Sequence, residues 1–124
     1  MRKEKKYRPE RHYKGWGYED WIVNNEQYCG KFLHFESGKR CSLHYHKRKD
    51  ETFYLLFGRL EIILADSLED YELGNTSKIT LNQGECLHIW RGRVHQIIAV
   101  EESDLVEVST QHFEEDSYRI IKGD

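Results

Sequence analysis

The chain has 124 residues, of which 33% are charged and 38% hydrophobic, so its length suits a single domain with a small core. Nineteen basic and twenty-two acidic residues leave a net charge of −3, which excludes a broadly polycationic nucleic-acid binder. No apolar run approaches the roughly 20 residues of a membrane span, and the charged start lacks the apolar stretch of a signal peptide. We therefore expect a cytoplasmic protein with neither a membrane nor a nucleic-acid partner.

The charge is distributed unevenly along the chain. Residues 1–14 carry seven basic and two acidic side chains, a balance of +5, so the remaining residues have a balance of −8. We interpret residues 1–14 as a basic amino-terminal arm and residues 15–124 as one folded domain. Such an arm is typical of a solvated tail or of a segment that packs on an acidic neighbouring subunit.

The predicted elements are nearly all short strands. In chain order they cover residues 22–23, 28–35, 41–46, 52–57, 60–65, 78–81, 86–90, 95–100 and 105–110. Gly58-Arg59 joins the fourth and fifth stretches as a hairpin. The polar residues 66–77 are predicted to form a loop, and the best helix candidate is a short acidic stretch around Glu114. Many short strands separated by turns predict an all-β sandwich or barrel.

The cysteines and four of the histidines show no grouping that points to chemistry. Cys29, Cys41 and Cys86 lack a C-x-x-C spacing, so we expect reduced thiols in the core. Four histidines have no comparable partners and are predicted to be structural: His12, His34, His88 and His112.

A histidine–glutamate pattern is the most informative feature. His44 and His46 lie two residues apart in a predicted strand, so their imidazoles point to the same face. Glu51 begins the next strand after a four-residue turn, and His95 begins a later strand. Three neutral imidazoles and one carboxylate suit Fe(II), Mn(II), Ni(II), Zn(II) or Co(II) and leave positions open on the ion. An H-x-H pair alone is also typical of surface histidines.

The spacing around these residues matches a known motif. Gly38, five residues, His44, one residue, His46, four residues, Glu51, six residues and Gly58 fit every fixed position of the first cupin motif. The chain therefore resembles a single-domain cupin. This resemblance implies a cupin jelly-roll barrel, also called a double-stranded β-helix, with a metal inside its mouth.

The second cupin motif is matched with two substitutions. Gly84, Gly92 and His95 stand at their expected spacing, whereas Trp90 replaces the usual proline and Ala99 the usual asparagine. The four ligand positions implied by the resemblance are all intact: His44, His46, Glu51 and His95. One divalent transition metal is the implied cofactor.

Three further segments are similar to the cupin domain of type II mannose-6-phosphate isomerases. These are Trp16-Gly17, Lys31, and the segment from Glu107-Val108-Ser109-Thr110 through an acidic stretch to Arg119. The resemblance implies a sugar or sugar-phosphate isomerase or epimerase whose substrate binds at the metal. That chemistry needs a metal to polarise oxygen atoms and a base to move a proton.

Five residues are candidates for catalysis or substrate binding in this activity. Glu107 and Lys31 are the candidate catalytic residues, with the Glu107 carboxylate acting as a base or hydrogen-bond acceptor. Lys31 and Arg119 are cations that can hold a phosphate or hydroxyl group. Trp16 and Trp90 can line the rim of a sugar pocket, with burial in the core as the alternative.

Two other functions stay open. A sugar or sugar-phosphate isomerase or epimerase predicts a cationic pocket near the metal and turnover without oxygen. A non-catalytic module that binds a sugar or another small ligand predicts binding without turnover and no base within reach. An Fe(II) dioxygenase acting on a small organic acid or thiol predicts oxygen consumption with iron bound.

A homodimer is the predicted assembly. The segment with Trp16, Tyr18, Trp21 and Ile22 precedes the barrel motifs and can add a strand to a neighbour's sheet. Such an addition covers an exposed sheet edge.

Overall fold

The computed structural model describes residues 1–124 and consists of eleven strands, one short α-helix and one 3₁₀ turn. The strands of the first sheet are β1 (Glu10–Lys14), β2 (Gly17–Asn24), β3 (Cys29–Phe35), β5 (Glu51–Phe57), β8 (Cys86–Ile89) and β10 (Ser103–Ser109). Those of the second sheet are β4 (Leu43–Tyr45), β6 (Arg59–Ala65), β7 (Ser77–Asn82), β9 (Val94–Ala99) and β11 (Tyr118–Ile121). The helix α1 spans Leu68–Glu72, and the 3₁₀ turn spans Glu114–Asp116. Neither of these two helical segments has the length of a membrane span.

The two sheets are antiparallel throughout and enclose a shared core. The spatial order is β1-β2-β3-β10-β5-β8 in the first sheet and β11-β4-β9-β6-β7 in the second. One cluster of buried apolar side chains joins them, with Leu33 and Leu105 from the first sheet and Ile62 and Ile97 from the second. This arrangement confirms the predicted all-β cupin jelly roll.

Alternation along the strands places polar groups in a single row inside the first sheet. In β3, residues at odd positions are buried, among them Lys31 and Leu33. The register sets Lys31 beside Trp21 on one side and beside Glu107 on the other. The neighbouring row is apolar, because Leu33 pairs with Leu105. The interior is therefore polar at the level of Lys31 and apolar beyond it.

All nine predicted strands are present, but two strands were not predicted. The sequence of β1 is polar and forms an outer strand, so it lacks the alternating apolar pattern that a half-buried strand shows. It also makes the last five residues of the predicted arm part of the first sheet. The other unpredicted strand, β11, pairs with β4 beside His44.

Two local predictions were wrong. The stretch 66–77 contains α1, which begins because Ser67 caps it: the Ser67 hydroxyl accepts a hydrogen bond from the Asp70 N–H at 3.1 Å. Cys29 and Cys41 are buried as expected, but Cys86 is exposed. Its strand β8 is one of the two edge strands of the first sheet, where side chains have fewer neighbours.

Candidate metal centre

Three histidines converge at one level of the second sheet. His44 on β4 pairs directly with His95 on β9, and His46 follows two residues after His44. One ligand atom from each imidazole lies within 4.8 Å of the other two. The pairing of β4 with β9 brings His44 and His95 together, and the two-residue repeat of an extended chain places His46 on the same face as His44. The triad therefore depends on backbone register and not on a flexible loop.

Backbone carbonyl groups fix the orientation of all three rings. The Nδ1 of His46 donates to the Asp116 carbonyl oxygen at 2.8 Å, that of His95 to Arg93 at 2.9 Å, and that of His44 to Ser42 at 3.0 Å. Each ring therefore carries its proton on Nδ1 and keeps the Nε2 lone pair for a ligand. This is the usual arrangement of metal-binding histidines.

The histidines are held in the neutral form that binds metals. Burial lowers the pKa of His95 to about 4 and that of His46 to about 2, with the Lys49 ammonium group adding to the effect at His46. Burial and the neighbouring histidines also hold the pKa of His44 well below its usual range. Protons therefore do not compete for the triad near neutral pH.

Glu51 completes the group from the first sheet. Its Oε2 lies 3.4 Å from His46 Nε2 and 3.9 Å from His95 Nε2, yet this buried oxygen has no hydrogen-bond partner. Burial and the Glu107 carboxylate raise the pKa of Glu51 to about 8 against the opposing effect of Lys49. A bound dication would satisfy this oxygen and favour the ionised carboxylate. The donor set fits a divalent transition metal.

Asp116 secures the turn that carries two of these residues. Its carboxylate accepts hydrogen bonds from three consecutive backbone N–H groups, those of Lys47, Arg48 and Lys49, at 2.9 to 3.1 Å. Its carbonyl oxygen accepts the hydrogen bond from the Nδ1–H group of the His46 ring. One residue of the 3₁₀ turn therefore shapes the connection between His46 and Glu51.

A second group of charged residues adjoins the triad. Lys49 is buried, and its Nζ donates to Glu107 at 3.1 Å and lies 3.8 Å from Glu51. It also donates to the Nδ1 of His112 at 3.3 Å. Burial alone would raise the pKa of Glu107, but the ammonium groups of Lys49 and Lys31 outweigh it and hold that pKa below its usual range.

Lys31 forms the next part of the wall. Its side chain is only 2% exposed, and its Nζ lies 3.5 Å from Glu19 Oε1 and 4.5 Å from the centre of the Trp21 ring. The indole N–H of Trp21 donates to the same Glu19 oxygen at 2.7 Å. Lys31 is therefore held by one carboxylate and one aromatic face.

These residues line a cavity of about 340 Å³. Outside the ligand group, its charged lining consists of four cations, Lys14, Lys31, Lys49 and Arg119, and four carboxylates, Glu19, Glu107, Glu114 and Asp124. Burial lowers the pKa of His112, which also lines the cavity, to about 3, so this ring adds no charge at neutral pH. The wall is charge-balanced and not cationic.

The structure brings most of the candidate residues to this cavity. Lys31, Glu107 and Trp16 are buried in its wall, with Trp16 stacked on Phe35 at 4.1 Å between ring centres. Arg119 is exposed and lines the cavity.

Trp90 lies elsewhere. It is 38% exposed, does not line the cavity, and donates its indole N–H to the Asp66 carbonyl oxygen. Its ring therefore lies outside this cavity, whereas the other candidate residues line it.

Lys49, Glu19 and His112 are among the cavity residues that sequence reasoning missed. Lys49 lies inside the first motif, between His46 and Glu51, and its only sequence signal is its place in that motif. Glu19 follows the Trp16-Gly17 pair by two residues and shares the inward face of β2 with Trp21. His112 lies beyond β10, and nothing in its local sequence indicates that it reaches the cavity.

Comparisons with known proteins agree with this architecture. Residues 31–110 match the family model described as the cupin domain. No curated protein matches the chain in sequence. Among solved structures, KdgF from Halomonas sp. superposes with a TM-score of 0.65 and 17% identity, over 79% of this chain and 81% of KdgF.

Two larger proteins contain a similar domain. Oxalate decarboxylase from Bacillus subtilis gives a TM-score of 0.77 with 19% identity over 90% of this chain and 30% of its own. The capsular polysaccharide assembling protein CapF from Staphylococcus aureus gives 0.77 with 16% identity over 94% of this chain and 35% of its own. The chain thus spans about a third of these two proteins, and identities this low show the fold alone. With the family match over residues 31–110, the chain belongs to the cupin family.

Proposed function

We propose that this cupin is a metal-dependent isomerase or epimerase of sugars or sugar phosphates. The observation that carries the proposal is Glu107, a buried carboxylate that lines the same cavity as the histidine triad and is held in place by Lys49 and Ser109. A metal site alone is equally suited to binding, whereas an aldose–ketose interconversion also needs a base that takes a proton from C2 and returns it to C1.

The ligand group in this proposal is the histidine triad with Glu51 as the fourth ligand. A metal held there would polarise the carbonyl and hydroxyl oxygens of the substrate and make the intervening C–H more acidic. Support for a metal comes from the orphaned Glu51 oxygen and from the three Nε2 atoms left free by the backbone. Oxalate decarboxylase from Bacillus subtilis, a structural neighbour, has Mn(II) centres.

The remaining residues of the chain have defined parts in the proposal. Lys49 holds the Glu107 carboxylate at 3.1 Å, and Ser109 donates its hydroxyl proton to the same oxygen at 2.9 Å. Lys31 is the second cation near Glu107 and can donate to a substrate oxygen. Glu107 therefore accepts a substrate proton while two fixed donors keep its orientation.

The test is turnover in deuterated water. Metal-loaded protein is incubated with a panel of aldoses, ketoses and their phosphates, and NMR follows both product formation and deuterium entry at C2. Isomerised product together with exchange is the expected result. If no compound gives product or exchange, the isomerase proposal fails, and binding without either would favour the non-catalytic module.

Glu107→Gln sharpens this test. The variant keeps the size and one hydrogen-bond acceptor of the side chain but removes the base, so the exchange rate should fall by about 10²-fold or more. Metal content should stay at the parental level, because Glu107 is not in the ligand group. The matched control is Glu102→Gln, which alters an exposed carboxylate beside His34 and should leave exchange unchanged.

A further inference from the structure

The charge pattern of the cavity narrows the substrate class. We infer that the site takes an uncharged polyhydroxylated compound of monosaccharide size and discriminates against its phosphate ester. This inference rests on the proposed function, since it chooses between the two substrate classes named there.

The interior cations of the cavity are already paired. Lys49 binds Glu107 at 3.1 Å, and Lys31 lies 3.5 Å from Glu19. A phosphate site requires cations or N–H groups whose charge is left for the ligand. A dianion placed against these two pairs would meet a carboxylate beside each ammonium group, and its lost hydration would not be repaid.

The outer part of the cavity is no more cationic. Lys14 and Arg119 share it with Glu114 and Asp124. The Asp124 carboxylate accepts a hydrogen bond from the Gly15 backbone N–H at 2.6 Å, which holds this negative group at the residue that follows Lys14 in sequence. Outside the ligand group the lining therefore has as many carboxylates as cations.

Paired charges of both signs match hydroxyl groups well. Each hydroxyl donates one hydrogen bond and accepts others, so it can bridge an ammonium group and a carboxylate. The 3.5 Å contact between Lys31 and Glu19 is long for a hydrogen bond, so Lys31 can still donate to a ligand, and Glu19 beside it supplies an acceptor. A chain of adjacent hydroxyls can contact the Lys31–Glu19 and Lys49–Glu107 pairs in succession.

Size sets an upper bound on the ligand. The cavity volume of about 340 Å³ lies at the lower end of the roughly 300 to 1,000 Å³ typical of small-molecule sites. Part of this volume belongs to the metal and its open coordination positions. The remainder suits one sugar ring or an open-chain sugar.

The test is a binding comparison between matched pairs of compounds. Metal-loaded protein is titrated calorimetrically with unphosphorylated hexoses and pentoses, each beside its own phosphate ester. At least one unphosphorylated sugar should bind about 10-fold or more tightly than its ester. Equal affinities, tighter binding of the esters, or no binding of any sugar would overturn the inference.

Glu19→Gln tests the physical cause. The substitution keeps an oxygen that can accept the Trp21 N–H but leaves Lys31 without its carboxylate. The ratio of ester affinity to sugar affinity should rise by about 10-fold. The matched control is Glu61→Gln, which removes a carboxylate paired with Lys78 outside the cavity and should leave the ratio unchanged. An unchanged ratio in Glu19→Gln would also overturn the inference.

The outcomes separate this inference from the proposed function. Sugar binding with the expected preference but without deuterium exchange would retain the substrate class and remove the isomerase. Exchange with phosphate esters alone would retain the isomerase and overturn the substrate class.

Discussion

Asp116 is expected to control both folding and metal affinity, although it touches no metal ligand through its side chain. Asp116→Ala removes the acceptor of three backbone N–H groups in the turn between His46 and Glu51. An unsatisfied buried N–H costs about 1–3 kcal/mol. Lys49 is buried, whereas Lys47 and Arg48 are exposed and water can replace the lost acceptor there. The expected loss of unfolding free energy is therefore about 2–4 kcal/mol.

Asp116→Ala should also weaken metal binding, through the backbone carbonyl group of the same residue. The Asp116 carbonyl oxygen orients the His46 ring, so a displaced 3₁₀ turn releases that ring. Loss of such an orienting contact typically lowers metal affinity by about 10- to 100-fold. Asp116→Asn keeps one acceptor oxygen and should show a smaller loss in both quantities.

Two measurements on Asp116→Ala and Asp116→Asn test the expected losses of stability and of metal affinity. Urea denaturation of metal-free protein gives the unfolding free energy, and competition with a chelator gives the affinity for Zn(II) under conditions where circular dichroism shows a folded barrel. Asp104→Ala is the control, because Asp104 pairs with His34 away from the site. A loss in Asp116→Ala below about 1 kcal/mol, or a metal affinity equal to that of the control, would refute the reasoning.

Three further predictions concern protonation, thiols and assembly. In metal-free protein the pKa of Glu51 is raised from 4.5 to about 8, so its contribution to stability is complete below pH 4.5 and is lost as the pH rises through 8. Urea denaturation of the parent and of Glu51→Gln gives the difference between their unfolding free energies. The parent should lose stability relative to the variant, so this difference should grow by a few kcal/mol between the two pH values. A difference that stays constant with pH would contradict the raised pKa of Glu51. Native protein should show one thiol that reacts rapidly with a disulfide reagent, because Cys86 is exposed, Cys29 and Cys41 are buried, and burial raises the pKa of Cys41 to about 12. Cys86→Ser should abolish this fast phase, and a fast phase that persists would count against it. The homodimer stays a prediction, although the segment from Tyr18 to Ile22 lies in β2 and pairs within the chain's own sheet, so β1 and not this segment is the edge strand next to it. Sedimentation showing a monomer at micromolar concentration would argue against the homodimer.

The part of the site that could be predicted is the part built from strand periodicity and one turn. His44 lies on β4, His46 follows directly after its last residue, and Glu51 begins β5 after the turn, so local spacing was sufficient to group them. The direct pairing of His44 with His95 is a matter of register between strands that are far apart in sequence. Only the match to the second motif pointed to His95.

The residues that were missed reach the cavity through contacts that local sequence does not encode. His112 follows the last strand of the first sheet, and it is anchored because its backbone exchanges two hydrogen bonds with the Asn24 side chain, at 2.8 and 3.0 Å. Lys49 is a turn residue by position and would be exposed in an isolated turn. It is buried because the turn folds onto Asp116 and because Glu107 offers its ammonium group a partner.

The expectation of a cationic pocket was wrong for a related reason. Counting Lys31 as a phosphate ligand treats this cation as free, yet a buried ammonium group in a small barrel is stable only with a carboxylate beside it. The β2–β3 pairing brings Glu19 to Lys31, and the folded turn brings Lys49 to Glu107. The same pairing that lets the barrel tolerate lysines in its interior therefore takes away the charge that a phosphate would need. What remains for a substrate is a wall of alternating donors and acceptors, and hydroxyl groups are the ligands that use both.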